Sequence, residues 1–301
     1  MQKLILGVVI LVLATGSFFF GRSTSNQFNK NEFPLLARRI LVENPNDSIV
    51  NFALLRQNIE KYMAENKLSG SIYFEYLPTG TSIRVTGDTE LIAASLMKMP
   101  VIMDLYKAHE LGSINLDDKV SLKEEWIESR YGTLYTKGAG YEITLREAAH
   151  LAMSESDSTA YATILYSTKD LLELDNSSIS SADVSFSRDD SREIIISARS
   201  YSSFLKCLYF GCYLNYEHSQ EILEYLSESS FNSRLRSGVP SEVTVAHKIG
   251  TFSDTSQSDC GIVYLDKRNY ALCVMLTTSE AEGDQHISTI SKLAYDFVAG
   301  L

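Results

Sequence analysis

The first strong pattern along the chain is an uncharged apolar run from Leu4 to Phe20, with Lys3 before it and Arg22 after it. Its 17 residues sit at the short end of membrane-spanning helices and exceed the usual apolar core of a signal peptide. Ala14, Thr15 and Gly16 offer a small-residue cleavage site, but Phe18, Phe19 and Phe20 carry the apolar run past it. The pattern therefore predicts an uncleaved anchor over residues 1–22, with the remaining chain on the outer side. Cleavage would instead give a secreted protein. Residues 23–50 are polar and irregular, with Pro34 and Pro45, and read as a linker.

From residue 51 the periodicity becomes that of a globular domain. Phe52, Leu54, Leu55, Ile59 and Tyr62 fall near helical spacing over 51–66. Residues 71–76 and 81–85 read as strands, turned by Pro78, Thr79 and Gly80. A helix is predicted from about Ser95 to Glu110, and mostly helical text from 111 to 228. Residues 177–192 are Ser-rich and predict an exposed loop. Three strands follow at 243–249, 261–265 and 270–277, and a last helix covers 287–298. This order predicts an α+β fold: an antiparallel five-stranded sheet built from both ends of the domain (51–301), flanked by terminal helices, with an all-helical subdomain inserted at about 111–228.

Composition narrows the function. The net charge of -11 argues against a nucleic-acid backbone as partner, since that binding needs an excess of Lys and Arg. The five histidines, His109, His150, His218, His247 and His286, form no H-x-x-x-H pair, and the four cysteines, Cys207, Cys212, Cys260 and Cys273, have no zinc spacing. No metal or cofactor is expected. Outside the cytoplasm the cysteines could pair. Cys260 and Cys273 flank a predicted hairpin, and free buried thiols are the alternative.

Three short segments carry candidate chemistry. In Ser95-Leu96-Met97-Lys98 the hydroxyl and the amine lie one helical turn apart and on one face. A serine needs a base to become a nucleophile, and a lysine whose pKa is lowered can be that base. A second S-x-x-K, Ser203 to Lys206, reads as helix surface. Ser156-Asp157-Ser158 offers another hydroxyl for proton relay. Lys248-Ile249-Gly250-Thr251, at the end of a predicted strand, offers a fixed cation, a glycine that permits close backbone approach, and an N–H for an oxyanion. The chain holds no G-x-S-x-G, which disfavours a Ser-His-Asp hydrolase.

In this order, S-x-x-K, S-D-x and K-x-G resemble the class A β-lactamase and penicillin-binding-protein superfamily. AASLMKMPVIMDLYK, AMSESDSTA, SGVPSEVTVAHKIGT and DCGIVY extend the resemblance over roughly 50–300. The resemblance implies that Ser95 is acylated, Lys98 is its base and Ser156 shuttles the proton to the leaving nitrogen. It further implies that Lys248 attracts a substrate carboxylate and helps keep Lys98 neutral. The N–H groups of Ser95 and Thr251 would bind the oxyanion, Ser158 and Gly250 would line the substrate site, and Asp157 would be a buried structural acceptor.

Three departures from the family pattern matter. Ser158 stands where Asn is usual, and Ile249 where a hydroxyl residue is common. No E-x-x-L-N follows the second segment, and Glu173 in Glu-Leu-Asp-Asn is the nearest candidate for a deacylating carboxylate. Asp189, Asp190 and Glu193 read as solvated loop charges. The expectation is a serine hydrolase that forms an acyl-enzyme with β-lactams or D-Ala-ending peptidoglycan peptides and deacylates slowly. The alternative is a non-catalytic, cell-wall-binding relative of the same fold.

Overall fold

The computed structural model describes residues 51–86, 88–168 and 177–301. The predicted anchor and linker (1–50) and Glu173 lie outside the described residues. Among those described, no helix is long and apolar enough to cross a membrane.

The elements run α1 (Ala53–Glu65), β1 (Ser69–Tyr76), β2 (Thr81–Val85), β3 (Glu90–Ile92), α2 (Lys98–Glu110), β4 (Lys119–Ser121) and β5 (Glu142–Thr144). Then come α3 (Leu145–Ser154), α4 (Ser158–Ser167), α5 (Ser177–Ser181), β6 (Ser187–Arg188) and β7 (Ile194–Ser197). The chain closes with α6 (Ala198–Phe210), α7 (Tyr216–Ser227), β8 (Thr244–Phe252), β9 (Ser256–Tyr264), β10 (Tyr270–Thr277) and α8 (Glu280–Ala299).

The main sheet has five strands in the order β2-β1-β10-β9-β8, with every pairing antiparallel. Both ends of the domain meet in it through β1 and β10, as the element order predicts. The α+β architecture is thus the expected one. The insertion is less purely helical than the periodicity implies. It contains the two-stranded pair β4-β5, and the strands β6 and β7, which join β3 in a small sheet. Elements of two to four residues are too short to leave a period in the sequence. The Ser-rich stretch is likewise ordered into α5 and β6, where the N–H of Ser178 donates to Asp104 at 3.0 Å.

Each face of the sheet has its own character, because side chains alternate along a strand. One face carries Ile72, Phe74, Val263, Leu272, Val274 and Leu276 and packs on α1 and α8 as a continuous apolar core. Helix α1 contributes Leu55, Ile59 and Met63, spaced four apart, and α8 contributes Ile287, Ile290, Ala294 and Val298. The Phe52 ring lies 4.9 Å from Phe74 and 5.4 Å from Phe297, tying the start of the domain to its end. Helix α8 starts seven residues earlier than its apolar period suggests. Ser279 and Thr278 hold Glu282 in the first turn, and Gly283 lies so close to Gln257 that a Cβ would stand 2.7 Å away.

The other face turns toward the inserted region. Register places Lys248 opposite Cys260 and Cys260 opposite Cys273, so the three share that face. Cys260 and Cys273 form a disulfide between β9 and β10, and Cys207 and Cys212 form a second at the end of α6. This resolves the alternatives left by spacing in favour of pairing. Lys206, of the second S-x-x-K, is held by Glu75 of β1 at 2.8 Å, so it pins α6 to the sheet instead of lying free on a helix surface.

Candidate active site

The nucleophile candidate sits where a 3-10 turn, Ala94–Met97, runs directly into α2 at Lys98. Two features hold this turn in place. Ala93 donates to Ile194 of β7 at 2.9 Å, and the Tyr201 hydroxyl of α6 donates to the Leu96 carbonyl at 3.2 Å. Ala94 takes φ +47°, a conformation that costs a non-glycine residue about 1–3 kcal/mol. Ser95 follows it, half-buried. Lys98, one turn on, is buried, and its side chain reaches the Ser156 segment.

Lys98 Nζ donates to the backbone carbonyl of Ser156, lies 3.3 Å from Ser156 Oγ, and reaches the Asp157 carbonyl at 3.5 Å. Burial pushes the ammonium down to about 8, against the opposing pull of Asp157 and Glu128 and with help from Arg130. Burial is the larger of the two causes open to a lysine base, and the repulsion between Lys98 and Lys248 is felt at Lys248.

Ser156 is itself buried and strained, at φ +54°. What fixes it is Asp157, the N-cap of α4. One Asp157 oxygen accepts from the Ala160 N–H at 2.8 Å and the other from the Leu134 N–H at 2.8 Å. Gly132, at φ +78°, packs against this carboxylate so tightly that a Cβ would stand 2.1 Å from Oδ2. Asp157 therefore serves as the buried structural acceptor that the resemblance implies. Ser158 opens α4 and is nearly buried, with its N–H on the Tyr131 carbonyl at 3.0 Å.

Strand β8 brings the third segment against the first. Gly250 has no room for a side chain, since a Cβ would lie 2.6 Å from the Ala93 carbonyl and 3.0 Å from Leu96. The glycine thus lets β8 approach the nucleophile turn, where the sequence reading had it admit a ligand. Lys248 is buried, and its Nζ has no hydrogen-bond partner among the described residues. Burial and the charges of Lys98 and Arg234 depress its pKa strongly, while Asp259 opposes them. Ile249 is buried on the opposite face of the strand.

The structure adds groups that the sequence reading missed. Arg234 is a buried arginine that donates to Asp284 at 2.7 Å, to the carbonyls of Gly250 and Ser258 at 3.1 and 2.9 Å, and to Thr251 Oγ1 and Gln257 Oε1 at 3.0 Å each. The Thr251 side chain is thereby fixed. Below it, buried Asp259 accepts from the Leu235 N–H at 2.9 Å and pairs with His247 Nδ1 at 2.9 Å. An arginine in a Ser-rich stretch and a histidine in a strand carry no local signal of such a role. Among the loop carboxylates, Asp189 is half-buried and engaged with Ser191 and Glu193 in its own turn.

The structure thus brings buried Lys98 beside Ser156, with Ser95 one turn before it in the chain and Lys248 on β8. The profile of the β-lactamase enzyme family matches residues 54–298. The chain belongs to that family. Solved structures share its fold. PBP-A superposes with a TM-score of 0.74 at 23% identity, over 83% of this chain and 97% of that one. A β-lactamase from Sphaerobacter thermophilus gives 0.74 at 22% identity, over 84% and 99%. A class A β-lactamase from Mycobacterium abscessus gives 0.74 at 12% identity, over 81% and 99%. No curated protein matches the chain. Membership in the β-lactamase family places the protein among serine hydrolases.

Proposed function

We propose that this β-lactamase-family protein is an acyl-transferring serine hydrolase that forms an acyl-enzyme on Ser95. The substrates on this reading are β-lactams or D-Ala-ending peptidoglycan peptides. The observation that carries the reading is Lys98, a buried amine with a pKa of about 8 in contact with Ser156. A binder that merely holds a peptide has no use for a depressed lysine one turn from a serine.

Neutral Lys98 takes the proton of Ser95 Oγ as the oxygen attacks the substrate carbonyl. The resulting oxyanion is received by the N–H groups of Ser95 and Thr251. As the carbonyl re-forms, the C–N bond breaks, and the leaving nitrogen takes a proton from Ser156 Oγ, which regains one from the Lys98 ammonium. Lys98 is neutral again, and the acyl group is on Ser95. A substrate carboxylate beside the unpartnered Lys248 Nζ offsets the burial that lowers its pKa and holds it as the ammonium that binds the anion, with Ser158 and Gly250 beside it.

Hydrolysis of the adduct requires a base on a water molecule. Asp157 is committed to two backbone N–H groups, and Asp189 to its own turn. The chain has no E-x-x-L-N after the second segment, which supports slow deacylation, with Glu173 as the nearest candidate for a deacylating base. The uncharged run Leu4–Phe20 supports an anchor over 1–22 and a linker over 23–50, with the hydrolase domain (51–301) outside the cytoplasm.

A solved PBP-A variant is described as an acyl-enzyme complex with penicillin-G, which makes a penicillin the natural probe. Intact mass spectrometry of the full-length protein with benzylpenicillin should show a one-to-one covalent adduct that is absent from Ser95→Ala. An adduct that persists in Ser95→Ala, or none in the wild type, would overturn the reading.

A further inference from the structure

Lys248 poses a question of access. Its Nζ is buried and has no hydrogen-bond partner among the described residues. The Phe231 ring faces it, with its centroid 5.9 Å away. The ring is half-buried while the Lys248 side chain is fully covered. A cation without hydrogen bonds gains from an aromatic face.

We propose that Phe231 is a gate over Lys248: its ring closes the anion-binding end of the cleft in the free protein and must turn aside for a substrate carboxylate. This deepens the proposed function, since it rests on Lys248 as the anion site. Phe231 is then a specificity-determining residue. Only substrates that can displace the ring reach the ammonium.

The surroundings fit a moving side chain on a fixed frame. Just before it, Ser230 is tied to Ser154, at the end of α3, through its N–H at 3.0 Å. Just after it, Arg234 is held by its five partners. Between these anchors stand Phe231 and the exposed Asn232 and Ser233. Tyr131 meets the Phe231 ring edge-on, with centroids 6.1 Å apart. Tyr131 is held by Ser158, and the next residue, Gly132, is packed on Asp157. The two rings therefore bridge the catalytic segment 154–158 from both sides. Rotating Phe231 breaks one ring contact and one cation–π contact without disturbing any hydrogen bond of the anchors.

The test uses the full-length protein and acetic anhydride at pH 8, with peptide mass spectrometry to follow each lysine. Lys248 is compared with the exposed Lys61. In the wild type Lys248 should be acetylated at least about tenfold more slowly than Lys61, and Phe231→Ala should raise that ratio about tenfold. Phe231→Tyr should behave as the wild type. A ratio unchanged in Phe231→Ala sinks the gate. If Lys107 also becomes reactive in Phe231→Ala, the domain has opened, and Phe231→Leu then decides by the same ratio. A second arm follows acylation by benzylpenicillin. The gate predicts a lower half-saturating concentration in Phe231→Ala, with the saturating rate unchanged, whereas a structural residue would lower the rate. Absence of any adduct in the wild type would refute acylation while leaving the acetylation ratio to judge the gate.

Discussion

Lys98 and Ser156 are 58 residues apart in the chain, yet Lys98 Nζ donates to the Ser156 carbonyl and lies 3.3 Å from Ser156 Oγ. This contact joins the helix that carries the nucleophile candidate to the segment that carries the second hydroxyl. The burial around it, more than the contact, lowers the pKa of the amine.

The first prediction is a pH profile. Acylation requires neutral Lys98, and its ammonium has a pKa near 8. At pH 7 about one tenth of the protein carries the neutral amine, so the rate should rise about tenfold from pH 6 to 7 and level off above pH 8. Stopped-flow labelling with a fluorescent penicillin reads this directly. A rate that is flat between pH 6 and 9 would exclude Lys98 as the base.

Substituting the base gives a second prediction. Lys98→Ala should slow acylation by about 10²–10⁴-fold, the usual contribution of a positioned acid–base group. Lys98→Arg should be as slow, since arginine keeps its proton throughout this range. Ser203→Ala, in the other S-x-x-K, should label at the wild-type rate. Recovery of activity in Lys98→Arg would point to a purely electrostatic role.

Turnover provides a third. With no E-x-x-L-N after the second segment, deacylation should trail acylation, and a barrier higher by about 4 kcal/mol slows a step about a thousandfold. Steady-state hydrolysis of a chromogenic cephalosporin should therefore be slow beside the acylation burst. If Glu173 acts on the water, Glu173→Gln lengthens the adduct's life. If it does not, the lifetime stays the same. Rapid turnover that disappears in Ser95→Ala would show an efficient β-lactamase instead.

Gly132 tests the frame beneath the site. Its φ of +78° and its contact with Asp157 leave no room for a methyl group. Gly132→Ala should destabilise the fold by about 2–4 kcal/mol and displace the segment that holds Ser156. Denaturant unfolding measures the first effect and acylation at matched folded fraction the second. A Gly132→Ala protein with wild-type stability would contradict the packing described.

The Cys260–Cys273 bridge closes a short loop, with a sequence separation of 13. Its loss should cost about 2–3 kcal/mol. Cys260→Ala/Cys273→Ala should unfold at correspondingly lower denaturant, while keeping the adduct with penicillin, because neither cysteine is among the reacting groups.

Most of the sheet was legible because its strands keep a period or a turn of their own, whereas the expected 261–265 catches only the end of β9, whose polar start Ser256–Asp259 shows no apolar period. Residues 71–76, 81–85 and 270–277 fall inside β1, β2 and β10. The start of α8 was not, because Gly283, Asp284 and Gln285 interrupt the apolar stripe and are held by capping and by contact with β9. The small strands β4 to β7 were missed because two to four residues cannot show a period. Within the candidate site, the sequence presented Ser95 and Lys98 one turn apart, and Ser156 and Lys248 in order. It gave no hint of Arg234, of His247 against Asp259, or of Phe231 over Lys248.

The sequence alone determined what short-range geometry controls: which segments are strands or helices, and that a hydroxyl and an amine one helical turn apart face the same way. Tertiary structure decided what depends on distant neighbours. It buried Lys98 and Lys248, and so lowered their pKa values. It fitted Gly250 against the nucleophile turn, paired the cysteines, and set an aromatic ring over an ammonium. Dihedral preferences and periodicity act over a few residues, whereas desolvation and packing are properties of the space that the whole folded chain encloses.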